Sequence, residues 1–165
     1  MAVDHCGFGR SDKPLDPGWQ SLERHVELTG SLLSDLDLRD VTLVCHDWGG
    51  PIGLTVALAH AERVSRMVIL DTAIDPHEGW MNETWVRFRD FVERTEDIPV
   101  GEIMQGTCLH WLPDEVVAAY EAPFPGVEAK AALRGLPMTV PRPGPTSPRL
   151  PGASTAHFAG TGDRC

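Results

Sequence analysis

Residues 41–51 read Val-Thr-Leu-Val-Cys-His-Asp-Trp-Gly-Gly-Pro, and this stretch decides the fold class. Residues 41–45 are β-branched or otherwise almost wholly apolar, which is typical of a buried strand in a parallel sheet. Two glycines follow, and Pro51 suits the first turn of a helix that we expect to continue to about His60. The stretch therefore predicts a strand, a tight turn and a helix in direct succession.

The elements around this stretch extend the same pattern. A second apolar run, residues 67–70, follows the helix, so residues 41–71 have about the length of one βαβ unit. Upstream, residues 21–38 carry apolar side chains at helical spacing, with Ser21 in the N-cap position. Because helices and strands alternate, the sequence predicts an α/β fold with a parallel sheet and flanking helices.

The rest of the chain divides into two further parts. Residues 77–140 carry predicted helices at 81–94 and 113–120, which we interpret as a helical cap region after a core at 1–76. Residues 141–165 hold five prolines and four glycines, so we expect a disordered or non-native tail, with an ordered proline-rich segment as the alternative. The cap region also contains an aromatic cluster: Trp80, Trp85, Phe88, Phe91 and Trp111.

Composition excludes several classes of function. The net charge of −10 argues against nucleic-acid binding and against a polybasic membrane-surface protein. No apolar run approaches the roughly 18 residues of a membrane span, and no signal-peptide pattern is visible. Four scattered cysteines without a CxxC pair, and seven histidines without an HExxH pattern, predict no disulfide framework and no zinc site. We therefore expect a cytoplasmic protein with reduced thiols.

The turn after the first strand carries the candidate chemistry. Its order of small residue, nucleophile position and small residue matches a nucleophile elbow, with Asp47 at the nucleophile position. A carboxylate held at a helix N-terminus stays ionised and can attack a carbon to form a covalent ester. The backbone N–H and the indole N–H of Trp48 are candidate donors to an anion. The alternative is that Asp47 only caps the helix that starts near Gly50.

Four stretches share a pattern with one enzyme family. They read DHCGFGRSDKP at residues 4–14, HDWGG at 46–50, VILD at 68–71 and AYEAPFP at 119–125. Together they resemble the haloalkane dehalogenases of the α/β-hydrolase superfamily over about residues 1–140. The last stretch looks like the end of the dehalogenase cap and is the more specific one. The resemblance implies a partial α/β-hydrolase fold with a helical cap segment.

The resemblance also implies a two-step displacement on a halogenated alkane, with no cofactor. Asp47 would attack the carbon that bears the halogen, and a histidine-activated water would hydrolyse the resulting alkyl ester. The halide would leave toward N–H donors that include the indole of Trp48. Asp71 matches the position of the acid that partners the histidine in some members, and its alternative role is a strand-end or capping residue. The second halide donor is left open: Trp85 of the cap region could serve, but the alternative is that Phe91, which has no N–H to donate, occupies the equivalent place.

Two parts of the family pattern are missing. The family's His-Gly-x-Pro loop precedes the point where this sequence begins, and residues 1–4 read as the end of a strand with none before it. The second missing part is the family's catalytic histidine, which lies after the cap and beyond two further strands. The pair His157-Phe158 is similar to a catalytic His-Phe pair, but it follows Asp47 too closely to leave room for two strands and a helix after the cap. We therefore expect a truncated piece of a dehalogenase with an unrelated end, enzyme-like in sequence and inactive as a polypeptide.

Other functions remain as alternatives. Epoxide hydrolases share the His-Asp-Trp-Gly-Gly pattern, but they use two cap tyrosines, and this chain has only Tyr120. Fluoroacetate-type dehalogenases typically need an arginine where this chain has Trp48. A non-catalytic α/β scaffold would need Asp47 only as a cap. The sequence does not indicate an oligomeric state.

Overall fold

A computed structural model describes residues 1–72 and 82–140, which form two compact units. One unit, here called the sheet unit, holds residues 20–72 with 139–140; the other, the helical unit, combines residues 1–19 with 82–138. The expected domain boundary after residue 76 and the expected tail at 141–165 lie outside the described residues, so the three-part division stays a prediction.

The sheet unit contains two helices and two strands. Its elements are helix α1 (Leu22–Asp35), strand β1 (Val41–His46), helix α2 (Gly49–Ala59) and strand β2 (Val64–Leu70). The strands pair in parallel, with Val41 opposite Val64 and His46 opposite Leu70. This pairing confirms the predicted βαβ unit, although β2 begins at Val64 rather than at residue 67. The Ser21 side chain caps α1 by accepting the backbone N–H of Arg24 at 3.3 Å, as predicted.

The core of the sheet unit lies between its helices and one face of the sheet. Leu33 of α1 packs with Ile52 and Val56 of α2, and all three are buried. Along β1, Cys45 is buried, whereas Val44 on the opposite face is 67% exposed. The prediction of a buried strand at 41–45 is therefore wrong for one of its two faces, because no described element covers that face.

The helical unit contains four helices. They are α3 (Glu83–Arg94), α4 (Val100–Thr107), α5 (Asp114–Glu121) and α6 (Ala131–Met138), with short 3₁₀ turns at Pro17–Trp19 and Glu128–Lys130. Helices α3 and α5 lie close to their predicted positions, and the Asn82 side chain caps α3 by accepting the Trp85 N–H at 2.8 Å. Helices α4 and α6 were not predicted. The expected strand end at residues 1–4 is not observed, because none of the described residues pairs with it.

A buried lysine holds the helical unit together. The side chain of Lys130 is 5% exposed, and its ammonium donates to Asp97 Oδ1 at 2.6 Å, to the carbonyl oxygen of Ile98 at 2.7 Å and to Glu121 Oε1. The second oxygen of Glu121 accepts the backbone N–H of Gly101 at 2.8 Å, in the first turn of α4. Three segments that are distant in sequence therefore meet at one ammonium group.

The ionisation of this cluster makes folding stability depend on pH. Burial alone lowers the pKa of Lys130, but its hydrogen bonds to Asp97 and Glu121 outweigh burial and raise it above 10.5. Burial alone raises the pKa of Glu121, but its bonds to Lys130 and Gly101 outweigh burial and hold it below 4.5. The contribution of Glu121 is therefore complete above pH 4.5 and is lost as pH falls through its folded-state pKa. The contribution of Lys130 to folding stability is complete below pH 10.5 and is lost as pH rises through the folded-state pKa of Lys130.

We expect the free energy of unfolding to fall at both pH extremes because of this cluster. Urea denaturation between pH 3 and pH 7 measures the acid limb, and Glu121→Gln is the matched variant. Since the glutamine does not titrate, the variant is expected to lose less stability than the unchanged chain over that interval. If the free energy of unfolding falls equally in the two proteins between pH 7 and pH 3, Glu121 does not contribute to the pH dependence.

Candidate active site

The turn between β1 and α2 has an unusual backbone. Asp47 has φ of +50°, in the left-handed region that residues other than glycine adopt at a cost of about 1–3 kcal/mol. Trp48 is already helical, and the carbonyl of Asp47 accepts the N–H of Gly50 at 3.0 Å. The chain thus reverses from strand to helix within two residues. This is the kind of sharp, strained turn by which an elbow exposes its nucleophile.

The side chain of Asp47 is exposed and does not cap the helix. The N-cap of α2 is Trp48, and no side chain makes a capping hydrogen bond there. Within residues 1–72 and 82–140, the Asp47 carboxylate has no hydrogen bond or ion pair. The alternative in which Asp47 serves as the helix cap is therefore not what the structure adopts. An exposed carboxylate beside a helix N-terminus remains available to a ligand.

The two residues that follow β2 form hydrogen bonds with this turn. The N–H of Asp47 donates to the carbonyl of Asp71 at 3.3 Å, which continues the parallel ladder by one residue. The Thr72 hydroxyl donates to the carbonyl of Asp47. Asp71 is exposed and also has a positive φ, of +22°. Two of the three predicted site residues, Asp47 and Asp71, therefore lie side by side at neighbouring strand ends.

Trp48, the third predicted site residue, follows Asp47 directly. It is half-buried and packs against the core of Leu33, Ile52 and Val56. The catalytic roles of Asp47 and Asp71, and the halide-binding role of Trp48, stay predictions.

Two glycines of α2 lie so close to neighbouring side chains that no larger residue fits without a shift. A Cβ atom at Gly50 would overlap the Thr72 side chain, and one at Gly53 would overlap the sulfur of Cys45. At Gly49, by contrast, an added Cβ would meet no atom within 4 Å. Space is therefore short not at Gly49, the small residue of the elbow pattern, but at the next residue, Gly50, and one turn later at Gly53.

Cys45 occupies the position before the elbow that glycine usually takes. Its side chain is buried against α2, and burial raises the pKa of the thiol. A thiol of this kind stays protonated at neutral pH and acts as a packing residue rather than a nucleophile. Gly53 supplies the space that the larger residue at position 45 requires.

Two of the resembling stretches come together in the helical unit. Within residues 4–14, the Asp4 carboxylate accepts the backbone N–H of Arg10 at 2.9 Å and so closes the glycine-rich turn. The ammonium of Lys13 lies 6.0 Å from the centroid of the Phe124 ring, which belongs to the cap stretch. This distance is within reach of a cation–π interaction.

Other residues named from the sequence contribute less to the described site. Trp85 and Phe91 both lie on α3; Trp85 is half-buried, and the side chain of Phe91 is exposed. His157 and Trp80 lie outside the described residues. Sequence reasoning missed Thr72, for which the only signal was its place directly after a strand-end aspartate.

Residues 1–99 match the family described as alpha/beta hydrolase fold. The chain belongs to the α/β-hydrolase family. This result confirms the predicted fold class, because the family's parallel sheet with flanking helices is the arrangement seen around β1 and β2.

Several relatives of this α/β-hydrolase are dehalogenases. Haloalkane dehalogenase 1 of Mycobacterium tuberculosis is 36% identical over 159 residues, which are 96% of this chain and 53% of the relative. The structure of a tetrameric haloalkane dehalogenase from Paraglaciecola agarilytica superposes with a TM-score of 0.76 at 32% identity, covering 84% of this chain and 46% of that one. These matches confirm the resemblance to haloalkane dehalogenases. This α/β-hydrolase chain spans about half the length of the curated relatives it matches.

A shorter match is to a protein that is named for a different reaction. A cis-3-alkyl-4-alkyloxetan-2-one decarboxylase of Shewanella oneidensis is 45% identical over 74 residues, which are 44% of this α/β-hydrolase chain and 23% of that protein.

In the described parts of the chain, no three His, Cys, Asp or Glu side chains are grouped to hold a metal ion. No described helix has the length and apolar character needed to cross a membrane.

Proposed function

We propose that this α/β-hydrolase acts on halogenated alkanes and that Asp47 displaces the halide. One observation carries the proposal: a carboxylate stands at the nucleophile position of a left-handed turn, exposed and without a partner among the described residues. The first turn of α2 begins two residues later and favours an anion at this place. The similarity to haloalkane dehalogenases supports the choice of substrate class.

The proposed chemistry has two steps. In the first, an oxygen of the Asp47 carboxylate forms a bond to the carbon that carries the halogen, and the carbon–halogen bond breaks as the halide leaves with the electron pair. In the second, water attacks the carbonyl carbon of the ester and loses a proton to a base, which releases the alcohol and restores the carboxylate. The products are an alcohol, a halide ion and a proton.

The residues around Asp47 have distinct proposed roles. The backbone and indole N–H groups of Trp48 are the proposed donors to the departing halide or the ester oxyanion. Asp71, at the neighbouring strand end, is the proposed acid that would orient a histidine. No histidine among the described residues is assigned as the base, so the second step is expected to be absent or slow in this chain. The first step needs only Asp47 and halide donors, and can be tested by itself.

The first step predicts a covalent adduct on Asp47. The whole chain would be incubated with 1-bromobutane, and its intact mass and peptide map recorded. We expect a gain of one butyl group in place of one proton, located at Asp47. Asp47→Asn is expected to abolish the adduct, because an amide is a far weaker nucleophile than a carboxylate.

A matched aspartate provides the control. Asp40 precedes the same strand and also has a positive φ, of +52°, but it lies away from the elbow. Asp40→Asn is therefore expected to leave the adduct unchanged. A folded chain that gains no butyl group, or one that gains it equally in Asp47→Asn, would contradict the proposal.

Epoxide hydrolysis is the alternative function, with 1,2-epoxybutane as its probe. An elbow carboxylate can open an epoxide ring, but the sequence offers only Tyr120 where two tyrosines polarise the ring oxygen. An adduct with the epoxide and none with 1-bromobutane would favour this alternative. The absence of both adducts would favour a non-catalytic scaffold.

The proposed setting is the cytoplasm, and the proposed substrate is a small halogenated alkane. The scattered cysteines support a reducing compartment, and the net charge of −10 disfavours nucleic acid as a partner.

A further inference from the structure

We propose that Thr72 is a positioning residue for the nucleophile turn, acting through the peptide group that joins Asp47 to Trp48. The Thr72 hydroxyl donates to the Asp47 carbonyl, which is one end of that peptide group. The other end is the N–H of Trp48, the donor proposed above for the halide or oxyanion. The inference rests on the proposed function of Asp47.

The planarity of the peptide bond links the two ends. In a trans peptide, the carbonyl and the following N–H point in opposite directions within one plane. Fixing the direction of the Asp47 carbonyl therefore fixes the direction of the Trp48 N–H. The carbonyl also accepts the N–H of Gly50 at 3.0 Å, so both of its lone pairs have donors. Two donors on the oxygen polarise the peptide and make the Trp48 N–H a stronger donor.

The second bond to the turn comes from the residue before Thr72. The Asp71 carbonyl accepts the N–H of Asp47 at 3.3 Å. Consecutive residues 71 and 72 thus hold the peptide groups on both sides of Asp47. Asp47 has a positive φ, and such a conformation persists where the surrounding structure determines it.

The packing at Gly50 shows how the hydroxyl reaches the turn. A Cβ atom at Gly50 would overlap the Thr72 hydroxyl oxygen and lie 2.6 Å from its Cγ2 methyl. The missing side chain at position 50 therefore leaves the space that the half-buried threonine fills. Both the methyl and the hydroxyl of Thr72 lie against Gly50 of α2, and only the hydroxyl also hydrogen-bonds the turn.

Three variants separate the contributions of the two groups. Thr72→Val keeps the shape and removes the hydroxyl, whereas Thr72→Ser keeps the hydroxyl and removes the methyl. Thr55→Val is the matched control, because the Thr55 hydroxyl also donates to a backbone carbonyl, that of Pro51 at 2.8 Å, but within α2. The rate of butyl-adduct formation would be measured as a function of 1-bromobutane concentration for each folded protein.

We expect Thr72→Val to lower the maximum rate of adduct formation about tenfold, the effect of one lost hydrogen bond. The concentration of 1-bromobutane that gives half the maximum rate is expected to stay unchanged. Thr72→Ser is expected to restore the rate, and Thr55→Val to leave it unaltered. An unchanged maximum rate in Thr72→Val, or a loss that Thr72→Ser does not restore, would overturn the proposal.

A second measurement does not depend on the chemistry. The amide proton resonance of Trp48 is expected to shift in Thr72→Val and to stay near its original position in Thr72→Ser and Thr55→Val. If the unchanged chain gains no butyl group, the proposed function of Asp47 fails, and this resonance alone decides the positioning role. A Trp48 resonance that Thr72→Val leaves in place would overturn that role.

Discussion

Replacing Lys130 with methionine is expected to lower the free energy of unfolding by about 3 kcal/mol, the low end for breaking a buried ion pair. The substitution keeps most of the side-chain volume and removes three hydrogen bonds in the helical unit, to Asp97, Ile98 and Glu121. Asp97 and Glu121 are then left without their shared cation. Both carboxylates reach water, with side chains 62% and 39% exposed, which keeps the loss from being larger.

Urea denaturation at pH 7 measures this loss, and the other lysine of the chain is its control. The Lys13 ammonium donates to the carbonyls of Gly9 and Ser11 and forms no ion pair with a described carboxylate. Lys13→Met is therefore expected to cost about 1 kcal/mol, the value of ordinary hydrogen bonds. If Lys130→Met and Lys13→Met lower the free energy of unfolding by the same amount, the ion pairs of Lys130 with the two carboxylates contribute nothing to stability.

Gly53→Ala is expected to lower the free energy of unfolding by about 2 kcal/mol, a typical cost of overpacking. In an open helix the same change would stabilise by up to about 1 kcal/mol, because alanine has the higher helix propensity. The new methyl group would overlap the sulfur of Cys45 in the core of the sheet unit. Neither β1 nor α2 can move without disturbing the elbow between them, so the overlap is not easily relieved.

A double-mutant cycle tests this explanation. Cys45→Ala alone leaves a small cavity and is expected to cost about 1 kcal/mol. Combined with Gly53→Ala, it removes the overlap, and the double variant is expected to be more stable than Gly53→Ala alone. Gly106→Ala on α4 is the control, because an added Cβ there meets nothing within 4 Å and should not destabilise. If the effects of Cys45→Ala and Gly53→Ala on the free energy of unfolding simply add in the double variant, the overlap with the Cys45 sulfur does not cause the destabilisation.

The sheet unit could be predicted in outline because its signals are local. Apolar runs indicate β1 and β2, and Ser21 marks the start of α1. What covers each face of a strand is a tertiary property, so the exposure of Val44 was not predicted.

The helical unit was harder to predict. Helix α4 contains two glycines in eight residues, and α6 contains Pro137, so both carry the residues that usually interrupt helices. The buried Lys130 was missed because its partners lie 9 to 33 residues away along the chain. Packing stabilises these helices despite weak local preference.

The candidate site divides in the same way. Asp47 and Trp48 were found from the turn pattern alone, and Asp71 from the family resemblance. Thr72 was not found, because its hydroxyl bonds a backbone carbonyl 25 residues earlier in the chain. Side chains that act on a distant backbone leave no spacing signature.

The positive φ of Asp47 also limits how this position can change through mutation. Aspartate and asparagine tolerate the left-handed region better than other side-chain-bearing residues, whereas β-branched residues are strained there. A change to asparagine therefore removes the nucleophile and leaves the turn intact. A lineage can in this way lose the reaction in a single step while retaining the fold, and regain it by the reverse change.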